Sequence, residues 1–267
     1  LRLVARDVRV GDRAEAFYRF PEGDRNFLGY RQMRVWARGR GEGWDPGDLR
    51  FFVKVAQDED NFYLYRARAR TTSWELEAVV DFSRWLSLRA SIEERYLRGD
   101  GPGGAAACGG DTLAYVACDS NYVVHVRHPG VAPPNLSRVR ELAVGLLRVG
   151  GEPLDSAELW VDDIRLTQVV DDPGYAGAVN LRVVAADVGE LVLSASRRDA
   201  HFRQLGEEPP YVGTDQLALT STVRLEKLGL ERLGLTAPLS VRIEPASSDP
   251  YFLTPTDLHT RAQDALR

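Results

Sequence analysis

The sequence predicts a mostly β fold: a jelly-roll-like antiparallel β-sandwich with one short helix, followed by antiparallel strands that resemble the staves of an outer-membrane β-barrel. Three observations lead to this prediction. A strong β-hairpin pattern lies in the first half, and a strand-like stretch with shifted alternation lies at residues 157–168. Strands with one apolar and one polar face follow residue 177.

The first half contains several strand patterns separated by polar turns. Residues 1–10 and 30–38 are extended candidates, and a polar loop runs through residues 21–24 between them. Residues 48–57 and 61–70 form the best hairpin pattern, because aromatic and β-branched residues flank the acidic turn at residues 58–60. Mostly antiparallel strands with long loops favour a sandwich of the jelly-roll type.

One helix is predicted within this sandwich. An extended segment at residues 74–82 precedes Ser83, which we expect to cap a helix that runs to about Leu97. Trp85 and Ile92 give that helix an apolar side. A Gly-rich segment ends it, and strands are predicted again at residues 122–126 and 139–149.

The stretch at residues 157–168, A-E-L-W-V-D-D-I-R-L-T-Q, marks the change between the two halves. Its apolar residues alternate with polar ones up to Val161, and the pattern shifts by one position at Asp162-Asp163. One extra residue in a strand turns the following side chains to the other face, so the shift predicts a β-bulge. We expect this strand to close one domain, residues 1–170, before a second domain at residues 171–267.

The second half alternates more regularly than the first. About four strand patterns follow residue 177, each with one apolar and one polar face, as in barrel staves. The predicted lipid-facing residues are Leu217, Leu219, Val223 and Leu225. On alternation alone, a second soluble antiparallel sheet is the alternative.

Composition narrows the classes of function. The net charge of -5, from 34 basic and 39 acidic residues, disfavours general nucleic-acid binding. No apolar run is long enough to predict a transmembrane helix. The chain begins Leu1-Arg2-Leu3, and we expect an internal fragment of a longer polypeptide. Cys108 and Cys118 flank a short segment in a Gly/Ala-rich insertion, where a local disulfide is favoured over free thiols and fits an oxidising compartment.

The sequence suggests no catalytic residue, no metal ligand and no cofactor. It lacks the nucleophile, phosphate-binding and dinucleotide-binding motifs. His125 and His128 are three residues apart and are interpreted as solvated loop residues. Asp162 and Asp163 could share one side at a bulge and bind calcium; the alternative is that they are solvated or paired with Arg165.

The serial order of these patterns resembles a known family. The strand L-W-V-D-D-I-R-L-T, an acidic linker with an aromatic residue at 171–175, paired alternating strands and a Ser/Asp/Pro-rich segment at 246–257 follow one another in the chain. In this order they resemble the SprA/Sov family, the giant outer-membrane translocons of the type 9 secretion system, named for gliding motility and surface-protein export. The resemblance is strongest over about residues 139–267. Asp162-Asp163 and the Cys108–Cys118 loop depart from the family pattern.

This resemblance implies a non-catalytic part of an outer-membrane protein translocon that exports folded proteins to the cell surface. The implied partners are secreted cargo proteins, gating and accessory outer-membrane proteins, the rest of the same barrel and outer-membrane lipid, but no nucleic acid. Residues 1–170 would then lie outside the membrane, facing the cell surface or the periplasm.

Two alternatives come from other classes of protein. The main one is an extracellular carbohydrate-binding jelly-roll module with an appended soluble β-domain, and the weaker one is an auxiliary domain of a hydrolase. An aromatic set could provide a sugar-stacking platform for the former, although packing in the core is the more common use of such residues. The set comprises Tyr30, Trp36, Tyr63, Tyr65 and Trp160.

Overall fold

A computed structural model describes residues 1–72, 74, 77–105, 108, 111–207, 210–228, 234, 236–251 and 257. The chain divides into two compact units. The first contains Leu1–Val170 together with Pro255–Leu258, of which Asp257 is described, and the second contains Asp171–Thr254 and His259–Arg267. No local pattern in the sequence indicates that a residue near its C-terminal end belongs to the first unit.

The described part of the first unit contains ten strands and one α-helix. They are β1 (Arg2–Val8), β2 (Arg13–Arg19), β3 (Tyr30–Arg40), β4 (Leu49–Ala56), β5 (Asn61–Ala67), β6 (Glu77–Asp81), α1 (Phe82–Leu97), β7 (Tyr115–Asp119), β8 (Tyr122–Val126), β9 (Glu141–Arg148) and β10 (Leu154–Val169).

These strands form nested antiparallel pairs, in which each outer pair encloses the next one along the chain. β1 pairs with β10, β2 with β9, β3 with β6 and β4 with β5. The two resulting sheets have the strand orders β1-β10-β3-β6 and β2-β9-β4-β5-β8-β7. Eight nested strands divided between two sheets make a jelly roll, and α1 with the β7–β8 hairpin is an insertion between β6 and β9. The predicted β-sandwich with one helix is therefore confirmed for the described residues.

Burial follows the position of each strand in the sandwich. β3 alternates as predicted, with Met33 and Val35 buried and Arg34 and Trp36 half-buried on the outer face. β4 is buried on both faces, and Ala114 and Cys108 from the segment before β7 pack in the cluster on the outside of its sheet. That outer cluster contains Phe52, Ala56, Phe62, Leu64, Ala114, Val116 and Val123.

The predicted β-bulge in β10 is confirmed. The register of β10 against β3 shifts between Asp162 and Arg165, and Asp163 has a φ of 48°. Before the bulge Leu159 and Val161 are buried, whereas after it Leu166 is opposite the buried Met33. The one-residue shift therefore exchanges which residues of the strand face the core.

Some local predictions are corrected by the structure. α1 begins at Phe82, and its N-cap is Asp81, whose carboxylate accepts a hydrogen bond from the backbone N–H of Ser83 at 2.9 Å. Ser83 is therefore in the first turn and is not the cap. β2 lies between the predicted strand at residues 1–10 and the predicted loop at residues 21–24, where no strand was predicted, and β7, which contains Cys118, lies in the predicted Gly/Ala-rich insertion.

The second unit is one antiparallel sheet. Its described elements are β11 (Ala176–Ala185), β12 (Gly189–Arg198), β13 (Val212–Arg224), a 3₁₀ helix (Leu225–Leu228), β14 (Pro238–Ile243) and β15 (Ala246–Pro250). The strand order is β11-β12-β13-β14, and β15 also pairs with β13. β14 and β15 lie end to end along β13, and the carbonyl of Pro245 between them accepts a hydrogen bond from Leu217 N–H at 3.0 Å.

Candidate functional site

The second unit has an apolar face that runs across all of its long strands. In an antiparallel sheet, directly opposed residues point to the same face. The register places Leu181 opposite Leu193, Leu193 opposite Leu219, and Leu219 opposite Ile243. The apolar face, defined by this register, comprises Val179, Leu181, Val183, Leu191, Leu193, Ala195, Leu217, Leu219, Val223, Leu239, Val241 and Ile243, with the single polar residue Ser221 between Leu191 and Val241.

The opposite face of the same sheet is polar. Arg182 pairs with Glu190 at 2.7 Å, and the hydroxyl of Ser194 donates to the side-chain oxygen of Asn180 at 2.7 Å. Other residues on this face are Val184, Val192, Ser196, Gln216, Ala218, Thr220, Thr222, Arg224, Ser240, Arg242 and Glu244. Cross-strand pairs of this kind hold neighbouring strands in register.

No layer of described residues covers the apolar face. Leu181 is 47% exposed, Ile243 49% and Val179 63%, and every residue of β11 is exposed. Contiguous apolar surface of this kind is uncommon on proteins that are surrounded by water and marks a surface that contacts lipid or protein. This face is the leading candidate for a functional surface.

Three of the four predicted lipid-facing residues lie in β13 on the apolar face, and the fourth lies outside the strand. Leu217, Leu219 and Val223 lie in β13 with the other members of the apolar face. Leu225 lies in the 3₁₀ helix that follows β13, so its prediction as a strand residue is wrong. β13 ends at Arg224, which pairs with Pro238, and the backbone N–H of Leu225 still donates to the carbonyl of Ala237 at 3.1 Å.

The outer face of the four-stranded sheet is a second candidate surface. Trp36 on β3 lies opposite Asp162 on β10, and Arg38 lies opposite Trp160. Trp74 approaches Trp160 with ring centroids 6.4 Å apart. Tryptophans on a solvent-facing sheet are the side chains on which sugar rings stack in many binding modules.

The aromatic platform expected from the sequence is only partly present. Tyr63 and Tyr65 are buried in the six-stranded sheet and cannot contribute to it. Trp36 and Trp160 share the outer face, but the guanidinium of Arg40 lies over the Trp160 ring at 4.7 Å from its centroid. One face of that ring is therefore already occupied by a cation.

The acidic pair at the bulge is bonded to neighbouring groups of the same strand. Oδ1 of Asp162 accepts a hydrogen bond from the backbone N–H of Asp163, and Asp163 forms an ion pair with Arg165 at 3.0 Å. In the described residues no three or more His, Cys, Asp or Glu side chains come together as metal ligands. The pairing with Arg165 is thus the interpretation that matches the geometry.

The interpretation of His125 as a solvated loop residue is wrong. His125 lies in β8, its ring stacks on Phe62 at 4.9 Å, and its nitrogens contact the carbonyl of Asp60 at 2.7 Å and the carboxylate of Asp111 at 2.9 Å. The hydrogen bond from His125 lowers the pKa of Asp111. His125 therefore connects the turn after β4 to the loop before β7. The backbone N–H of His128 donates to the side-chain oxygen of Asn61.

Cys108 and Cys118 form a disulfide with their Cα atoms 5.5 Å apart. Both half-cystines pack against the outer cluster of the six-stranded sheet. Because a disulfide restricts the unfolded chain, this bond stabilises the loop that covers the sheet.

A buried lysine occupies the same side of this sheet. Lys54 is 1% exposed, and its ammonium lies 2.8 Å from Glu15 and 3.1 Å from Glu141. Burial raises the pKa of Glu141, but hydrogen bonds from Arg19 and Lys54 outweigh it, and the net pKa is lowered. The charges compensate one another, as buried ions require.

Neither protein-family models, nor curated proteins, nor solved structures show a match to this chain. Among the described residues, no helix combines the length and the apolar content needed to cross a membrane. The candidate surfaces therefore rest on the geometry given above.

Proposed function

We propose that the chain is a non-catalytic part of an outer-membrane protein translocon of the type 9 secretion kind. In this proposal the second unit supplies barrel staves, and the first unit is an extramembrane jelly roll that braces the pore or meets gating proteins. The translocated partners are folded proteins destined for the cell surface. The observation that carries the proposal is the uncovered apolar face, which is backed by a polar face across the same strands.

Strand length supports this role. β11 and β12 have 10 residues each and β13 has 13. A transmembrane strand needs about 9–11 residues when it is tilted by roughly 45°. In a barrel of this kind the apolar side chains contact lipid and the polar ones line the lumen.

The free edges of the sheet support it as well. β11 pairs only with β12, and the far side of β14 and β15 pairs with no strand among the described residues. Unpaired backbone groups are not tolerated against hydrocarbon, so a membrane role requires further strands on both edges. We propose that the rest of the same barrel provides them.

The decisive experiment uses an antibody against residues 1–170 on fractionated source cells. We expect a polypeptide many times larger than 29.7 kDa in the outer membrane, with an electrophoretic mobility that changes on heating in detergent. An antibody pre-absorbed with the antigen is the control. A secreted or soluble band of roughly 30–60 kDa, about one to three domains, would contradict the proposal.

The outer face of the four-stranded sheet favours a second candidate function, glycan binding by an extracellular jelly roll. The neighbouring rings of Trp74 and Trp160 carry this candidate. Binding of polysaccharides that is lost in Trp160→Ala but kept in Leu113→Ala, a change at an exposed residue elsewhere, would favour it. If no glycan tested is bound, the glycan-binding candidate is rejected and the translocon proposal is the one that stays.

A further inference from the structure

A carboxylate from near the C-terminal end of the chain is buried inside the sandwich. Asp257 is 0% exposed and belongs to the first unit, although it follows the strands of the second. Its Oδ2 accepts hydrogen bonds from the hydroxyl of Tyr63 at 2.8 Å and from the backbone N–H of Leu136 at 2.7 Å. Burial of a carboxylate is unfavourable unless donors satisfy it, and here two donors converge on one oxygen.

Helix α1 supplies a positive charge. Its buried side consists of Phe82, Trp85, Arg89 and Ile92, so an arginine occupies a position of the apolar stripe and is 0% exposed. Burial raises the pKa of Asp257, and the bonded donors and the charge of Arg89 partly offset that effect. Arg89 is one helical turn after Trp85, whose ring stacks on Tyr63, so Arg89 lies on the same buried side of α1 as the ring that contacts the donor.

Both charged groups retain unused hydrogen-bonding capacity. Arg89 lies 2.7 Å from Glu93 as an ion pair, yet among the described residues its three guanidinium nitrogens have no hydrogen-bond partner in suitable geometry. Oδ1 of Asp257 likewise has none. A buried cation and a buried carboxylate oxygen in one cluster complement each other in charge.

Aromatic rings hold the donor hydroxyl in place. Tyr63 stacks on Trp85 with centroids 5.4 Å apart, and the indole N–H of Trp85 donates to the carbonyl of Leu64 at 3.0 Å. The hydroxyl of Tyr63 also lies 3.1 Å from the carbonyl of Pro134. Burial and the Asp257 carboxylate raise the pKa of Tyr63 well above its ordinary value, so this hydroxyl stays protonated and donates.

We propose that Tyr63, Arg89 and the N–H of Leu136 form a binding site for the aspartate side chain of a peptide, and that the chain fills this aspartate site with its own Asp257. The site thereby anchors the C-terminal segment to the sandwich. It selects a carboxylate over an amide, because an amide would turn an N–H₂ group toward donors or a cation. The proposal does not depend on a membrane role for the second unit.

A peptide-binding experiment on the full chain tests the proposal. Asp257→Ala empties the site, and we expect this variant to bind a labelled peptide of residues 246–262. The same peptide with Asp257→Asn should bind at least about 10-fold more weakly, because hydrogen bonds to charged groups are the stronger ones. The unaltered chain should also bind the first peptide at least about 10-fold more weakly than the variant does, since Asp257 competes within the chain.

The control is Asp249→Ala, which changes an exposed aspartate of β15 and should behave like the unaltered chain. Equal binding of both peptides by the Asp257→Ala chain would overturn the proposal, because carboxylate recognition would be absent. Failure of that folded chain to bind either peptide would overturn it too.

Hydrogen exchange at the Leu136 amide gives a second readout. We expect exchange to be at least about 10-fold faster in Asp257→Ala, which loses the acceptor. Tyr63→Phe keeps the stacked ring and removes only one hydrogen-bond donor to Asp257. It therefore tests the proposal if Asp257→Ala fails to fold. It should speed Leu136 exchange by several fold, and unchanged exchange in the folded variants would overturn the proposal.

Discussion

The two units differ in what covers their apolar side chains. Both are built from antiparallel strands, yet Leu159 and Val53 in the first unit are 0% exposed, whereas Leu181 in the second is 47% exposed. The jelly roll buries its apolar residues between two sheets and under a disulfide-bonded loop. Alternation along a strand therefore establishes an apolar face but leaves open which molecule covers it.

The largest effect is expected when residues 177–267 are expressed alone. In water we expect no cooperative unfolding transition, because one sheet with an uncovered apolar face has no second layer. Circular dichroism during heating and sedimentation analysis would measure the result. The same peptide in detergent micelles is the control, where strand signal should increase. If residues 177–267 form a monomer that unfolds cooperatively in water, the second unit does not need another molecule to cover its apolar face, and the two units do not differ in this respect.

A matched pair of leucine truncations compares the units directly. Leu159→Ala should lower the free energy of unfolding of the first unit by about 2–5 kcal/mol, since it leaves a cavity between the sheets. Leu181→Ala should change stability in water by less than about 0.5 kcal/mol. Fluorescence follows the first unit during denaturation, because all five tryptophans lie in it. Circular dichroism reports the strands of both units, so a change that fluorescence does not show is assigned to the second. Similar losses for both variants would mean that the apolar face is buried in solution.

A charge placed on each face of β13 separates lipid contact from water contact. Leu219→Lys puts an ammonium on the apolar face, and Thr220→Lys puts one on the polar face. In the bilayer-embedded full polypeptide, Leu219→Lys should cost about 2–4 kcal/mol near the membrane midplane. Thr220→Lys should cost far less. Urea unfolding from vesicles measures both, and equal costs would contradict a lipid-facing role.

The pH dependence of the ion pair between Glu141 and Lys54 tests the first unit by itself. The lowered pKa of Glu141 means that its carboxylate stabilises the fold above its unfolded pKa of about 4.3, and that this stabilisation is lost as the pH falls through the lower folded value. Denaturant unfolding of Glu141→Gln should therefore show its largest deficit at neutral pH and a shrinking one toward pH 3. Glu42→Gln, at an exposed glutamate elsewhere in the first unit, is the control. A deficit that grows on acidification would contradict the assignment.

Local patterns in the sequence predicted much of the fold. The hairpin around residues 58–60, the helix after Asp81 and the bulge at Asp162-Asp163 each follow from neighbours along the chain. Strand β15 was missed because its residues A-S-S-D-P carry no apolar alternation, and it is held only by pairing with β13. β2 was missed for a related reason, since Phe17 and Tyr18 are neighbours and both are exposed.

The candidate sites were less predictable than the strands. The apolar face could be predicted because it follows alternation, and three of its four predicted members lie on it. The aspartate site could not, because Tyr63 and Asp257 are 194 residues apart and no local pattern links them. One signal was present: Arg89 stands where a helical stripe of Phe82, Trp85 and Ile92 calls for an apolar residue.

The distance along the chain between Asp257 and its partners also sets an order of events during synthesis. Leu136 emerges from the ribosome 121 residues before Asp257, and ribosomes add roughly 5–20 residues per second. For those seconds the hydroxyl of Tyr63 and the N–H of Leu136 lack the carboxylate that accepts their hydrogen bonds. The first unit is synthesised first, but its hydrogen bonds to Asp257 form last. They can form only after all described strands of the second unit have been translated.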